Sequence, residues 1–327
     1  MSKFKFLYLI FGIALLIFIF NKVDFNSFLN ELNKLRFNFF AILIIYFIGF
    51  ILDSYSWQLC IENLAKTKLK IYQVFKIRII GEAFNYIFFQ VGGEPVKAFL
   101  LKNNFGIKYK LSIGSLILAK TIILFALIIF CFIGLISIFY TGKFGENFEN
   151  AALIGFVLFT TLISLFFIVQ RYKLTSKLHN IFKNKFSKKF NNFFKHLKDT
   201  ENKISNFYKK TKKDFFKILF LNLGNWFFGA LELYAIFYLL DERITFFEAI
   251  AIETLVQLVR AMLFFIPSNL GTQEGVFVLA VNVLKDSTPL GLAVAIIRRL
   301  REVIWISIGL ILGFKQKIDF KEIKRKL

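Results

Sequence analysis

The chain contains an apolar stretch between Leu111 and Tyr140, which reads LSIGSLILAKTIILFALIIFCFIGLISIFY. Lys120 is the only charged residue in this stretch. The hydrocarbon core of a bilayer is about 30 Å thick, and a helix needs about 20 apolar residues to cross it. The stretch exceeds that length, so it predicts a transmembrane helix.

Similar apolar blocks recur on both sides of this stretch, separated by short charged segments. The chain has 327 residues and is 57% hydrophobic, whereas a soluble chain is closer to about half apolar. We therefore predict a single integral membrane domain over 1–327, an all-α polytopic transmembrane helical bundle. It would have about six full spans: Phe6–Phe20, Phe39–Cys60, Leu111–Tyr140, Ala151–Gln170, Phe215–Leu240 and Leu290–Phe314.

The net charge of +22 could indicate a nucleic-acid-binding protein. However, the basic residues concentrate in the loop 171–217 and the tail 315–327. Cytoplasmic loops of membrane proteins carry an excess of Lys and Arg. We therefore expect both of these segments, and both termini, to be cytoplasmic, with no nucleic-acid partner. We interpret segment 1–20 as an uncleaved first span, because no small-residue cleavage site follows it.

The loop 171–217 also has a helical pattern. Its lysines occupy the faces between apolar residues that recur mostly at three- or four-residue steps, which is typical of a basic amphipathic helix on an anionic leaflet. The alternative is an ordinary positively charged loop. The apolar residues are Phe182, Phe186, Phe190, Phe193, Leu197, Ile204 and Phe207.

Two apolar segments, Tyr72–Leu101 and Ala249–Leu284, are interrupted by polar residues and glycines. The first lies between basic stretches at 61–78 and 97–110, both expected to be cytoplasmic. The second lies between segments expected to face outward. Each must then enter and leave the membrane on one side, which predicts two re-entrant broken-helix segments.

The two halves, 39–140 and 215–314, each consist of a span, a broken segment and a second span, in opposite orientations. Inverted repeats with broken helices near the membrane centre are typical of transporters. The alternative is a chance similarity between two glycine–glutamate turns. The expected breaks contain Gly92, Gly93 and Pro95 in the first half, and Pro267, Gly271 and Gly275 in the second.

Charged residues occur inside the apolar blocks, where each costs about 2.5–3.5 kcal/mol if it faces lipid. They must pair with one another or line a wet cavity, so the sequence predicts either a polar pathway or a set of internal salt bridges. Arg298 and Glu302 are one helical turn apart and could pair. The set comprises Asp53, Glu82, Lys120, Glu232, Glu253, Arg260, Arg298, Arg299, Arg301 and Glu302.

Irregular backbone at membrane depth survives only where protein buries it or where it lines a cavity. Helices that restart at the breaks would point their N-termini into that cavity and favour an anion such as lipid phosphate. Alternatively, Glu94 and Glu274 simply cap these helices. The candidate lipid-binding residues are Glu94, Glu274, Lys120, Arg260, Arg298, Arg299, Asn85 and Lys97.

Signatures of catalysis are missing from the sequence, which contains no nucleotide-binding or hydrolase motif. The two histidines, His179 and His196, lie in the basic loop without cysteine partners. We therefore assign no catalytic residue, no metal and no cofactor.

Both breaks resemble motifs of one known family. The stretch Gly92–Leu101, GGEPVKAFLL, resembles the G-G-E-P-x-[RK]-x-x-x-L motif of the flippase-like, lysylphosphatidylglycerol synthase transmembrane region family. The stretch Pro267–Gly275, PSNLGTQEG, resembles its P-x-x-x-G-x-x-E-G motif, and Gly81 and Asn85 precede the first motif as they often do in the family. The pair Ala119–Lys120 departs from the pattern, because family members often have Glu-Arg there.

The resemblance implies a protein of a bacterial or archaeal inner membrane that binds or moves an anionic phospholipid or a polyprenyl-type lipid between leaflets. A second reading is a membrane subunit of a lipid-modifying enzyme such as phosphatidylglycerol lysyltransferase, working with a partner enzyme. In such proteins a cytosolic domain transfers lysine; the sequence ends at Leu327 without one, so we expect no lysyl transfer by this chain. A third reading is a scaffold that recruits a cytosolic partner.

Overall fold

The computed structural model describes residues 38–87, 92–172, 202–209, 211–263 and 266–316. Within these ranges the chain is almost entirely helical and has no strand, which confirms the predicted all-α class. The long helices are α1 (Phe39–Ala65), α2 (Ile71–Ile87), α3 (Gly93–Phe105), α4 (Tyr109–Thr141), α5 (Glu146–Arg171), α6 (Lys212–Leu239), α7 (Phe246–Met262), α8 (Thr272–Lys285) and α9 (Thr288–Phe314).

Four of these helices, α1, α4, α5 and α6, are long and apolar enough to cross a membrane. Helix α9 has 27 residues and is about 40 Å long at 1.5 Å per residue. It is less apolar because Arg298, Arg299, Arg301 and Glu302 lie near its middle. The predicted span 6–20 lies outside the described residues, so the expected six spans are not confirmed.

The interrupted segments form two pairs of short helices. Helix α2 packs against α3, and α7 packs against α8. Their lengths are 17, 13, 17 and 14 residues, or about 20–26 Å, which is less than the hydrocarbon thickness of about 30 Å. Each of the four is therefore too short to cross a bilayer alone.

The two ends of each pair lie close together. The start of α2 and the end of α3 line a common pocket of about 140 Å³, which Gln316 at the end of α9 also lines. In the second pair, Glu242 precedes α7 and forms an ion pair of 3.2 Å with Lys285 at the end of α8. Each pair therefore begins and ends at one face of the protein.

Close contacts between the two halves depend on glycine. A Cβ atom at Gly309 of α9 would lie 2.5 Å from the carbonyl oxygen of Ile79 in α2. A Cβ atom at Gly134 of α4 would lie 1.8 Å from Thr254 Oγ1 in α7. Small residues let membrane helices approach closely, so α2 packs on α9 and α4 packs on α7 at these glycines.

The described part of the basic loop differs from the expectation for a leaflet-bound helix. Residues 202–209 are helical, but Ile204 and Phe207 are buried in the protein core with α1 and α4. Lys203 Nζ reaches the Leu64 carbonyl oxygen at 3.4 Å. This turn therefore packs on the bundle. The predicted positions from Phe182 to Leu197 lie outside the described residues.

Candidate functional site

An open cavity of about 290 Å³ lies between helices of both halves. Its wall includes five cations and five carboxylates, contributed by α1, α2, α4, α6, α7 and α9. A lipid-facing position would make each of these charges costly, whereas a wet cavity removes that cost. The charged wall residues are Asp53, Arg78, Glu82, Lys120, Glu232, Glu253, Arg260, Arg298, Arg301 and Glu302.

Arg78 was not predicted as a site residue. The sequence places it at the end of the basic stretch 61–78, and the structure shows that this end of the stretch, from Ile71 on, belongs to α2. Arg78 is buried, forms an ion pair with Asp53 of α1, and lies over the rings of Phe50 and Trp57. Nothing in the sequence near Arg78 indicates that Asp53 is its partner.

The first break depends on a close crossing of α2 and α3. A Cβ atom at Gly93 would lie 1.8 Å from the carbonyl oxygen of Gly81. The Gly93 backbone N–H donates to Asn85 Oδ1 at 2.8 Å. The Asn85 amide nitrogen donates to Glu82 at 3.1 Å. Asn85 therefore fixes the start of α3, and it is not among the residues that line the central cavity.

Lys97 is completely buried and joins the two helices of the first break. Its stem crosses Gly81, where a Cβ atom would lie 2.4 Å from Lys97 Cγ. Its ammonium donates to Glu82 at 2.8 Å and to Glu94 at 2.9 Å. Loss of one member of a buried ion pair leaves an uncompensated charge, so Lys97 acts as a structural tie between α2 and α3.

Glu94 does not cap α3, because the described hydrogen bonds give its carboxylate no backbone N–H donor. Its other cationic neighbour is Lys120 of α4, at 3.7 Å. The Lys120 side chain is 52% exposed and lies on the cavity wall. Lys120 is therefore only loosely paired and remains accessible from the cavity.

The second break is held by Arg299. Ser268 and Asn269 of this break have positive φ angles. The Arg299 guanidinium donates a hydrogen bond to the carbonyl oxygen of each residue, at 3.0 Å. It also donates to Glu274 at 2.5 Å and to Glu302 at 2.7 Å. Because irregular backbone at membrane depth needs partners, Arg299 supplies them from α9.

Arg298 and Arg301 connect α9 to the neighbouring helices. Arg298 contacts Glu253 of α7 at 2.7 Å and Glu232 of α6 at 3.7 Å, while Arg301 contacts Glu232 at 2.5 Å. The expected pairing of Arg298 with Glu302 along one helix is wrong, because Glu302 pairs with Arg299 and Arg301 instead. The sequence shows spacing along a helix but not the acidic partners on other helices.

Arg260 of α7 differs from the other arginines of the cavity. It lies on the wall, and no described residue forms an ion pair or hydrogen bond with it. Together with Lys120, it gives the cavity two cations that carboxylates of the described chain do not closely neutralise. An anionic group in the cavity would find these two cations the least neutralised of the five.

Comparison with known proteins places the chain in a family. Residues 6–309 match the model of the lysylphosphatidylglycerol synthase transmembrane region. The chain belongs to this family. It is thus a multi-pass membrane protein of a family associated with membrane lipids. No curated protein and no solved structure matches the chain.

The two motifs of this family member each lie at the start of a helix. Each supplies a glutamate in the first turn of a helix, Glu94 in α3 and Glu274 in α8. Lys120 is the twelfth residue of α4, which starts at 109, and Arg299 is the twelfth residue of α9, which starts at 288. Each contacts the glutamate of its own half. The described residues contain no cluster suited to a metal ion.

Proposed function

We propose that this family member binds the phosphate-bearing headgroup of an anionic phospholipid in the central cavity and moves the lipid between leaflets. The observation that carries the proposal is the presence of two loosely neutralised cations, Lys120 and Arg260, on the wall of a cavity at membrane depth. Hydrogen bonds from cations to phosphate are among the strongest in proteins. A headgroup could therefore leave bulk water without losing its polar partners.

The remaining charges of the wall support this role because each has a close ion-pair partner, supplied for Glu82 by Lys97 and for Glu302 by Arg299. Asp53 pairs with Arg78, and Glu253 pairs with Arg298. Buried ion pairs contribute little to stability against an apolar alternative, so their number in one cavity favours a functional reason. The ten charges of the wall sum to zero, but Lys120 and Arg260 lack a close carboxylate partner among the described residues and are the two cations left for a ligand.

We also propose that α1–α4 and α6–α9 are inverted repeats with α2–α3 and α7–α8 as re-entrant pairs. Contacts within the halves correspond: α1–α2 with α6–α7, α2–α3 with α7–α8, and α3–α4 with α8–α9. Contacts between the halves correspond too, because α2–α9 matches α7–α4. The equivalent positions of Lys120 and Arg299 add support. Transporters of this construction bind substrate where the repeats meet.

In this arrangement α9 crosses the membrane despite its charges, because they contact other helices rather than lipid. With the apolar block Phe6–Phe20, the chain would have six spans and cytoplasmic termini. The basic segments 171–217 and 315–327 would then lie on the cytoplasmic side, as the distribution of Lys and Arg requires.

Lipid exchange in proteoliposomes tests the proposal. The purified protein would be placed in vesicles of phosphatidylglycerol and phosphatidylcholine with a trace of fluorescent phosphatidylglycerol, and dithionite would report how fast inner-leaflet label becomes accessible. Lys120→Gln and Arg260→Gln should each lower the exchange rate about tenfold or more, since a hydrogen bond to a charged group contributes about 1.5–3 kcal/mol.

Lys143→Gln is the matched control, because Lys143 is an exposed cation whose partner, Glu248, lies away from the cavity. Its exchange rate should equal that of the unchanged protein. Equal exchange rates in all three variants would refute the assignment of the phosphate site. Mass spectrometry of the vesicle lipids completes the test: headgroups of altered mass, produced by the protein alone, would favour a lipid-modifying enzyme instead.

A further inference from the structure

Two seams between the halves correspond in the proposed repeat but differ in how they are closed. At the α4–α6 seam the helices pack directly, Trp226 donates to the Ile123 carbonyl oxygen at 3.3 Å, and Phe130 meets Phe227 at 5.6 Å between ring centroids. At the α1–α9 seam the backbones of the described helices remain apart. Only side chains fill the space between them.

These side chains are aromatic. Phe47 of α1 stacks on Trp305 of α9 with centroids 5.8 Å apart and an interplanar angle of 6°. Tyr46 lies 5.8 Å from Trp305 as well. No hydrogen bond between described residues holds this contact, and the buried indole N–H of Trp305 has no acceptor among them. We refer to Phe47 and Trp305 together as the aromatic gate.

Behind the gate is a narrow pocket of about 20 Å³ lined by residues of α1, α2 and α9. It adjoins the central cavity, because Tyr46, Glu82 and Glu302 line both. The Tyr46 ring also lies 4.0 Å from the Arg301 guanidinium. The pocket is thus apolar toward the gate and charged toward the cavity, and it has room for about one water molecule.

Outside the gate, α1 and α9 present apolar side chains to the surroundings. Ile44 and Phe47 of α1 are 59% and 38% exposed, and Ile308, on the same face of α9 as Trp305, is 37% exposed. In a membrane these positions would face hydrocarbon. The sequence of environments from outside to inside is therefore hydrocarbon, aromatic rings, narrow pocket and charged cavity.

We infer that the α1–α9 seam is a lateral gate through which the acyl chains of a lipid project into the bilayer while its headgroup occupies the cavity. This rests on the proposed function. A lipid that changes leaflet keeps its tails in hydrocarbon, so its path needs a slot that joins the cavity to the membrane. A water-soluble phosphate compound needs no such slot. The slot is too narrow for an acyl chain while the rings are stacked, so lipid passage requires the gate to open.

Cross-linking across the gate tests this inference. The variant carries Phe47→Cys and Trp305→Cys, joined by a reducible bifunctional thiol reagent. The control carries Phe132→Cys and Phe156→Cys, a pair at 6.3 Å that lies on the apolar surface of α4 and α5. The native thiols are completely buried, so they will not compete for the reagent.

Cross-linking the gate should lower lipid exchange at least tenfold, and reduction of the cross-link should restore it. The control should exchange lipid at the same rate with and without its cross-link. Binding of glycerol phosphate, measured by calorimetry, should change less than twofold in the cross-linked gate, because a soluble headgroup analogue needs no lateral slot. As a single-residue check, Trp305→Ala should raise lipid exchange several-fold.

The possible failures are distinguishable. Full lipid exchange by the cross-linked gate, or no increase in Trp305→Ala, would overturn the gate and leave the proposed function intact. No exchange by the unchanged protein, with glycerol phosphate still bound, would overturn both, because the cavity would then take a soluble phosphate compound rather than a lipid.

Discussion

At the scale of single residues, the two motif glutamates are equivalent in position but differ in environment. The Glu274 side chain is 2% exposed and pairs with Arg299, which also holds the irregular backbone of the second break. The Glu94 side chain is 21% exposed and shares its charge between Lys97 and the half-exposed Lys120. One glutamate is thus part of a fixed structure, whereas the other lies at the edge of the cavity.

This difference predicts separate effects for the two amide substitutions. Glu274→Gln should lower the free energy of unfolding by about 3 kcal/mol, because it removes a buried partner of Arg299. Glu94→Gln should lower stability less than Glu274→Gln does, because the buried Lys97 keeps its ion pair with Glu82, but should slow lipid exchange. Thermal unfolding in detergent and exchange per folded protein would measure both effects.

Glu242→Gln is the control, because Glu242 pairs with Lys285 at the surface and its side chain is 34% exposed. It should alter neither stability nor exchange. A larger loss of stability in Glu94→Gln than in Glu274→Gln would contradict the assignment of a fixed second break.

The residue-scale predictions from sequence succeeded where charge was the signal. Charged residues inside apolar blocks are conspicuous, and nine of the ten that were predicted to need a partner or water line the cavity. The tenth, Arg299, contacts the second break instead. Arg78 escaped prediction because it was taken as the end of the basic stretch 61–78, and only the fold places Asp53 beside it.

At the scale of helices, the crossing of α4 with α7 depends on Gly134. Gly134→Ala should destabilise the protein by about 1–3 kcal/mol, the cost of overpacking a filled contact, because the new Cβ would meet Thr254. Adding Thr254→Gly moves the missing side chain to the other helix and should restore part of the loss. A double-mutant cycle on thermal unfolding would give the interaction energy. Independent, additive effects of the two substitutions would mean that the two helices do not touch at this point.

The sequence predicted where the helices begin and end better than it predicted whether their faces contact lipid or the cavity. The apolar block Leu111–Tyr140 lies within α4 (Tyr109–Thr141) almost end to end, because a long apolar run leaves few alternatives. The block Leu290–Phe314 also became a helix, α9, but its charges make it a wall of the cavity rather than an ordinary apolar span. Hydropathy averages over all faces of a helix, so it cannot separate a charged cavity face from a lipid face.

At the scale of the whole molecule, α3 begins at Gly93 and α8 begins directly after Gly271, two of the glycines expected at the breaks. What the sequence could not supply is the difference between the halves. Arg299 fixes the second break, whereas its counterpart Lys120 leaves the first one loosely paired. The seams differ in the same way, because α4–α6 is closed and α1–α9 is bridged by aromatic rings. The proposed movement of lipid between leaflets would use such asymmetry, because the two sides of the cavity would then open differently.

The proposed orientation of the two short-helix pairs predicts which residues reach each side of the membrane. Single cysteines in place of Lys68 and Lys108 would flank α2–α3, and cysteines in place of Arg243 and Lys285 would flank α7–α8. A membrane-impermeant maleimide should label the last two in intact cells, and the first two only after permeabilisation, because a re-entrant pair returns to the side from which it started. The ion pair between Glu242 and Lys285 already joins the two ends of α7–α8. Labelling of Lys68→Cys and Lys108→Cys from opposite sides would mean that α2–α3 crosses the bilayer, and the inverted repeat would have to be abandoned.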